Sequence, residues 1–334
     1  MGVGLVGVVA AQGPVVEQQT AVTKVRLQAI SVASSKVVWA SGTQGTYVVT
    51  TDGGASWRAG VVPGADSLEF RDVHGFDGRR AVLLAAGSGD KSRIYHTNDG
   101  GATWKLAFTN TDPKAFYDCF DFRANVGVVV SDAVDGKFPL RRTEDGGRTW
   151  KPYAPLGYQS IVAQEGEGAF AASGTCLAMA PNGAVWVGTA VGARAIRFGS
   201  VGAAAFETPI VKKAPGAGIS TIAFRTPREG IAAGGDLARS TEFLDNVAVT
   251  HDGGQNWSLV GRPTFTGSVY GVAWVPGKPT TVVGVGPKGA SWTSDGGKTW
   301  KVLDGNDYWG IGFGANGTGW LSGPNGRIAK VTFR

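Results

Sequence analysis

The pattern S/T-x-D-x-G-x-x-W occurs five times in this chain, as TTDGGASW (50–57), TNDGGATW (97–104), TEDGGRTW (143–150), THDGGQNW (250–257) and TSDGGKTW (293–300). One match would carry little weight, whereas five define a repeat in which each unit buries its apolar faces against neighbouring copies. The starts lie 47, 46, 107 and 43 residues apart, so the long interval has room for two units, and a degenerate box is expected near 197–206. The residue types suit a tight turn between two strands. Aspartate accepts hydrogen bonds from turn amides, glycine takes backbone angles barred to other residues, and tryptophan packs under the turn. Asp52, Asp99, Asp145, Asp252 and Asp295 are therefore read as structural, because a carboxylate occupied by turn amides is poorly placed as a general base.

The same strand grammar surrounds each box. Apolar runs broken by glycine-containing turns, the signal of hairpins, lie at 37–49, 81–96, 127–142, 184–198, 230–249, 281–292 and 319–333. Each follows a shorter run expected to be an innermost strand: 27–32, 70–75, 117–122, 174–179, 219–224, 269–274 and 308–313. The last unit has no box and no fourth strand, and VVEQQT (15–20) can supply that strand from the other end of the chain. Such closure removes exposed sheet edges. The expected fold is all-β, a seven-bladed β-propeller occupying 14–334 as one domain. The 53 glycines, 11 tryptophans and 17% charged residues agree with many short strands and tight turns.

Several function classes are disfavoured. The net charge of +6 is spread over single basic residues, without the patch that a nucleic-acid interface needs. No stretch approaches the ~20 apolar residues of a membrane helix, so no membrane span is expected. No G-x-G-x-x-G opens a helix after a strand, and His74, His96 and His251 lack ligand spacing, so neither a cofactor nor a metal is expected. Residues 1–13 carry an apolar run ending in small residues but no basic segment, which reads as a signal-peptide remnant or a disordered tail. Export to a periplasmic, lumenal or extracellular space is the expectation. Cys119 and Cys176 share a column of adjacent innermost strands. Neighbouring strands can stand farther apart than the roughly 7 Å that a disulfide tolerates, so a bond and two buried thiols both remain open.

Five boxes, seven units and a single ring resemble the photosystem II stability/assembly factor-like proteins, a BNR-repeat family. SDAVDGKF (131–138), FAASGTCLA (170–178), GTAVGARAIRF (188–198) and GPNGRIAK (323–330) look like its bacterial branch. The resemblance covers nearly the whole chain. It implies an exported or lumenal seven-bladed propeller that binds protein partners, with no established reaction. Sialidases also carry such boxes, but no FRIP-like tetrapeptide occurs here.

In a four-stranded blade the boxes crowd one face of the ring. The loops leading into the first strand and joining the second and third lie on the other, called the front face below. Residues mapped to the front face are the ligand candidates: Arg71, Arg93, Tyr117, Lys137, Arg194, Asp236, Arg239, Tyr270, Trp309 and Arg327. The arginines suit an anionic ligand or acidic peptide, or are ordinary solvated charges. The aromatics suit stacking on a sugar or partner, or packing between blades. Asp118, Asp132 and Asp135 are expected to gather three carboxylates, either for cation binding or acid–base chemistry, or to shape a loop. The preferred reading is a monomeric, non-enzymatic propeller that binds a protein partner or a small anionic or carbohydrate ligand. The alternative is a glycoside hydrolase or polysaccharide lyase using Asp118, Asp132 and Asp135.

Overall fold

Seven antiparallel sheets of four strands each make up the computed structural model, which describes residues 13–333. Residues 1–12 and Arg334 lie outside the described residues, and with them nearly all of the segment expected to be a signal-peptide remnant or a disordered tail. The innermost strands, in blade order, are Leu27–Val32, Phe70–Gly75, Tyr117–Arg123, Leu177–Met179, Ala217–Phe224, Gly271–Trp274 and Gly310–Phe313. Blade 7 takes its fourth strand, Val15–Gln18, from the other end of the chain, in register Val15↔Thr332 to Gln18↔Ala329. Gln18 Nε2 also donates to the Tyr308 hydroxyl at 2.8 Å. Deleting 14–20 should therefore lower the melting temperature of the entire domain, and a wild-type melting curve from that variant would argue against this closure.

Alternating side chains put an apolar face on both sides of each sheet, and neighbouring blades bury those faces together. Each of the seven apolar clusters straddles one junction, such as Trp39 and Tyr47 of blade 1 with Phe70 and Leu83 of blade 2. Box tryptophans contribute across these junctions. Trp104 lies 6.2 and 5.1 Å, centroid to centroid, from Trp39 and Tyr47 of the blade before. Trp57 meets Trp320 in the same way at 5.4 Å.

Inside each box the threonine and aspartate share the turn. Thr50 Oγ1 donates to Asp52 Oδ1 at 2.7 Å and accepts from the Gly54 amide at 3.0 Å, while Asp52 Oδ1 accepts from the Ser56 amide at 2.9 Å. Hydrogen bonds from Ser56, side chain first and then backbone, hold the Asp52 carboxyl down at about 2. The second box glycine allows close approach to the preceding blade. At Gly254, with φ of 81°, a Cβ would sit 2.1 Å from the Trp186 ring. The degenerate box falls where the spacing places it: Arg194–Gly199 and Gly202–Glu207 form the outer hairpin of blade 4, closing at Gly199↔Gly202.

Innermost strands have one ladder edge facing the central channel, so their amides need acceptors from elsewhere. Side chains of the preceding blade supply them. Asp72 Oδ2 accepts from Phe120 N at 2.8 Å, Asp121 Oδ2 from Met179 N at 2.7 Å, Thr221 Oγ1 from Val272 N at 3.1 Å and Ser31 Oγ from Gly75 N at 3.0 Å. Cys119 and Cys176 occupy the column of Asp72 and Thr221. The structure resolves their open question: they form a disulfide between blades 3 and 4, with Cα atoms 6.0 Å apart. The inter-strand gap lies within the reach of the bond at this level of the ring.

Candidate functional site

A recurrent bulge sets the front mouth of the channel. In blades 1, 2, 3 and 5 the pairing of the first two strands slips in the first half of the innermost strand, leaving Gln28, Arg71, Asp118 and Ser220 outside the regular ladder. Bulges re-aim the side chain they carry. In blades 6 and 7 the equivalent residues are Tyr270 and Trp309, which stand just ahead of the ladder and donate their amides to Val285 O and Ser322 O at 2.8 and 2.7 Å.

Of these, Arg71, Ser220, Tyr270 and Trp309 meet the segment 170–172 and Leu237 around a cavity of about 130 Å³, which Phe170 also lines. Tyr270 and Trp309 pack edge to face at 4.9 Å. The Arg26 guanidinium lies 4.5 Å above the Trp309 ring. Glu69 serves two guanidiniums with a single oxygen: Arg71 Nη2 stands 2.8 Å from Oε2 and Arg26 Nη2 3.6 Å. Arg71 Nη1 also donates to Ala171 O at 3.4 Å, tying the mouth to the segment that crosses it. Arg26 Nε is buried without a partner. The mouth thus carries one more positive than negative surface charge beside an apolar, aromatic-walled pocket. Such a surface suits a ligand that is apolar in part and anionic in part.

The carboxylate expectation needs correction. Asp118 is 1% exposed beneath Arg71, and Asp132 is half-buried beside it, but Asp135 points to solvent and pairs with Lys114 at 2.9 Å. The chain turns at Asp135 through a φ of 49°, which aims its side chain away from the other two. Burial, then the neighbouring Asp132, pushes the Asp118 carboxyl well above the usual range. Burial likewise pushes Asp132 up to about 6, although its Oδ1 accepts from the Ala169 amide at 2.8 Å. Asp132 props the 165–172 segment from below. Gly168 is required there, since a Cβ would sit 2.0 Å from Asp132 Oδ1.

Four of the five candidate arginines do not line the mouth. Arg93 pairs with Asp90 at 3.3 Å, Arg239 with Glu242, and Arg327 with Asp307. Arg194 pairs with the fully buried Glu167. A ring of arginines free to receive an anion is therefore not present among the described residues. Lys137 Nζ donates to Gln159 O and Ile161 O at 2.6 and 3.0 Å, anchoring a linker. Asp236 Oδ1 caps a short turn by accepting from Ala238 N at 2.9 Å. Tyr117 is buried, its hydroxyl accepting from Arg141 Nε at 3.1 Å.

Beside the mouth lies an open groove of about 520 Å³, bounded by Lys114, Asp132, Glu165–Ala169 and Lys213–Gly216. Within the channel, toward the boxes, a chamber of about 360 Å³ holds Asp72, His74 and Asp121. Each of the two aspartates accepts two backbone amides. Burial lowers His74 to about 4, with its ring packed against Phe76 and Phe122. These groups are occupied by the architecture of the ring.

No family model matches this chain, and no curated protein matches it. Among solved structures it is similar to YCF48 bound to D1 peptide, with a TM-score of 0.68 and 16% identity over 97% of this chain and 98% of that one. YCF48 from Cyanidioschyzon merolae matches with a TM-score of 0.67 and 16% identity over 96% and 98% of the two chains. The WD40 β-propeller domain of Doa1 matches with a TM-score of 0.61 and 10% identity over 97% and 98%. Blade count, closure and these likenesses agree: the chain is a seven-bladed β-propeller with the fold of YCF48, a photosystem II assembly factor.

Proposed function

We propose that this chain is an exported, non-enzymatic propeller that binds a protein partner through the front mouth of its channel. The observation that carries this reading is the pair Arg26 and Arg71 sharing one carboxylate beside the Tyr270–Trp309 pocket. Tryptophan, tyrosine and arginine are the residue types that dominate binding energy at protein interfaces. Among the similar structures, YCF48 is bound to a peptide. The disulfide supports export, because such bonds persist in oxidising compartments.

The test is affinity capture from an extract of the source organism's exported proteins, comparing wild type with Arg26→Ala/Trp309→Ala. The expected result is a captured partner whose affinity falls about tenfold or more in the variant, as for interface hot spots, with the melting temperature retained. Equal capture by both proteins, or a partner lost only when the box face is altered at Arg148, would overturn the assignment of the mouth.

A further inference from the structure

The mouth pocket and the outer groove are not separate. They share Gly216, and one continuous segment walls both: Glu165–Ala169 along the groove, Phe170–Ala172 along the pocket. We propose that together they form one cleft for an extended peptide segment, which seats a single apolar side chain in the pocket, places an acidic group beside it, and runs its backbone out along 165–169. This rests on the binding reading above and specifies its ligand.

Three observations carry it. The pocket, at about 130 Å³, lies well below the roughly 300–1,000 Å³ of a small-molecule site, so it fits one side chain of a longer ligand. The charge beside it is unbalanced, with two guanidiniums to one carboxylate, whereas the outer groove is nearly neutral. There Lys114 is paired with Asp135 and Arg194 with Glu167, Lys213 and Glu165 stand exposed, and Asp132 adds one further carboxyl. Acid recognition therefore belongs next to the apolar anchor. The far wall is also held in unfavourable backbone. Val191 and Lys213 have φ of 61° and 70°, a cost that persists only where surrounding contacts enforce it. Here Val191 O accepts the Lys213 amide at 2.8 Å, and the Val191 amide donates to Ala217 O. A wall built this way keeps the cleft open before a ligand arrives, which lowers the ordering cost of binding.

A displayed library of random heptapeptides tests the proposal, selected on wild type, Leu237→Glu and Ala214→Tyr. Both substitutions fall at accessible rim positions, so the fold should survive, and melting curves check this. Wild type should enrich peptides with an apolar residue next to an acidic one. Leu237→Glu should erase the apolar preference, and Ala214→Tyr should weaken the enriched peptides at least tenfold. Peptides that bind both variants as well as wild type would overturn the cleft while leaving partner binding intact. No enrichment, alongside successful partner capture in the experiment above, would overturn the extended-segment ligand. Failure of both experiments would remove the binding reading itself.

Discussion

Arg194→Ala is expected to lower the free energy of unfolding by about 3–5 kcal/mol, the usual cost of stranding one member of a buried ion pair. Glu167 is that stranded member. Its side chain is fully buried, accepting from Arg194 Nε at 2.8 Å, Thr189 Oγ1 at 2.6 Å and the Gln164 amide at 2.8 Å. Arg194 Nη2 also reaches Val162 O at 3.0 Å. The residue thus positions the linker that walls the cleft. Denaturant melts of Arg194→Ala, Arg194→Met/Glu167→Leu and wild type separate the two roles. A ligand-contacting arginine would leave stability unchanged, whereas a positioning arginine gives a large single-variant loss, mostly recovered when both charges are removed together.

Replacing Cys119 and Cys176 by serine is expected to cost about 2–5 kcal/mol, the usual cost of removing a native disulfide. The bond spans 57 residues of sequence. It sits where the sheets offer least. The innermost strand of blade 4, Leu177–Met179, has three residues, and its outer hairpin lacks the threonine–aspartate turn of its neighbours. Unfolding of the double variant, followed alongside wild type with and without reductant, measures this contribution. Coincident curves for all samples would show that the staple contributes nothing. The same pair carries the argument for export, since in a reducing compartment it would be a pair of buried thiols.

Much of the ring is legible in the residues alone, because a propeller is periodic and its turn chemistry is local. Asp52 and its four counterparts disclose the blades through residues seven positions apart at most. The spacing also places the degenerate box near 197–206, within the hairpin the structure shows over 194–207. The mouth is legible only in part. Arg71, Tyr270 and Trp309 follow from aligning strand starts, but Arg26 precedes the first strand and Leu237 lies in a short helical turn after a strand, so neither shows in a strand period. Phe170–Ala172 belongs to a long connection whose path over the channel no periodicity encodes. Two signals were available: FAASGTCLA (170–178) carries part of the family resemblance, and the connection into blade 4 is longer than the others, where long ordered loops are often functional.

The amino-acid sequence by itself determined the blade number, the closing strand and the face left free by the boxes, because each depends on contacts between residues near in sequence or in equivalent repeat positions. Only the tertiary structure decided the state of the chemistry-bearing side chains. It split Asp118 and Asp132 from Asp135, gave Arg93, Arg194, Arg239 and Arg327 to neighbouring carboxylates, and bonded Cys119 to Cys176. The physical reason is that charge pairing, bulges and disulfide reach depend on distances of a few ångströms across the ring, between residues that repeat spacing aligns but does not bring into contact.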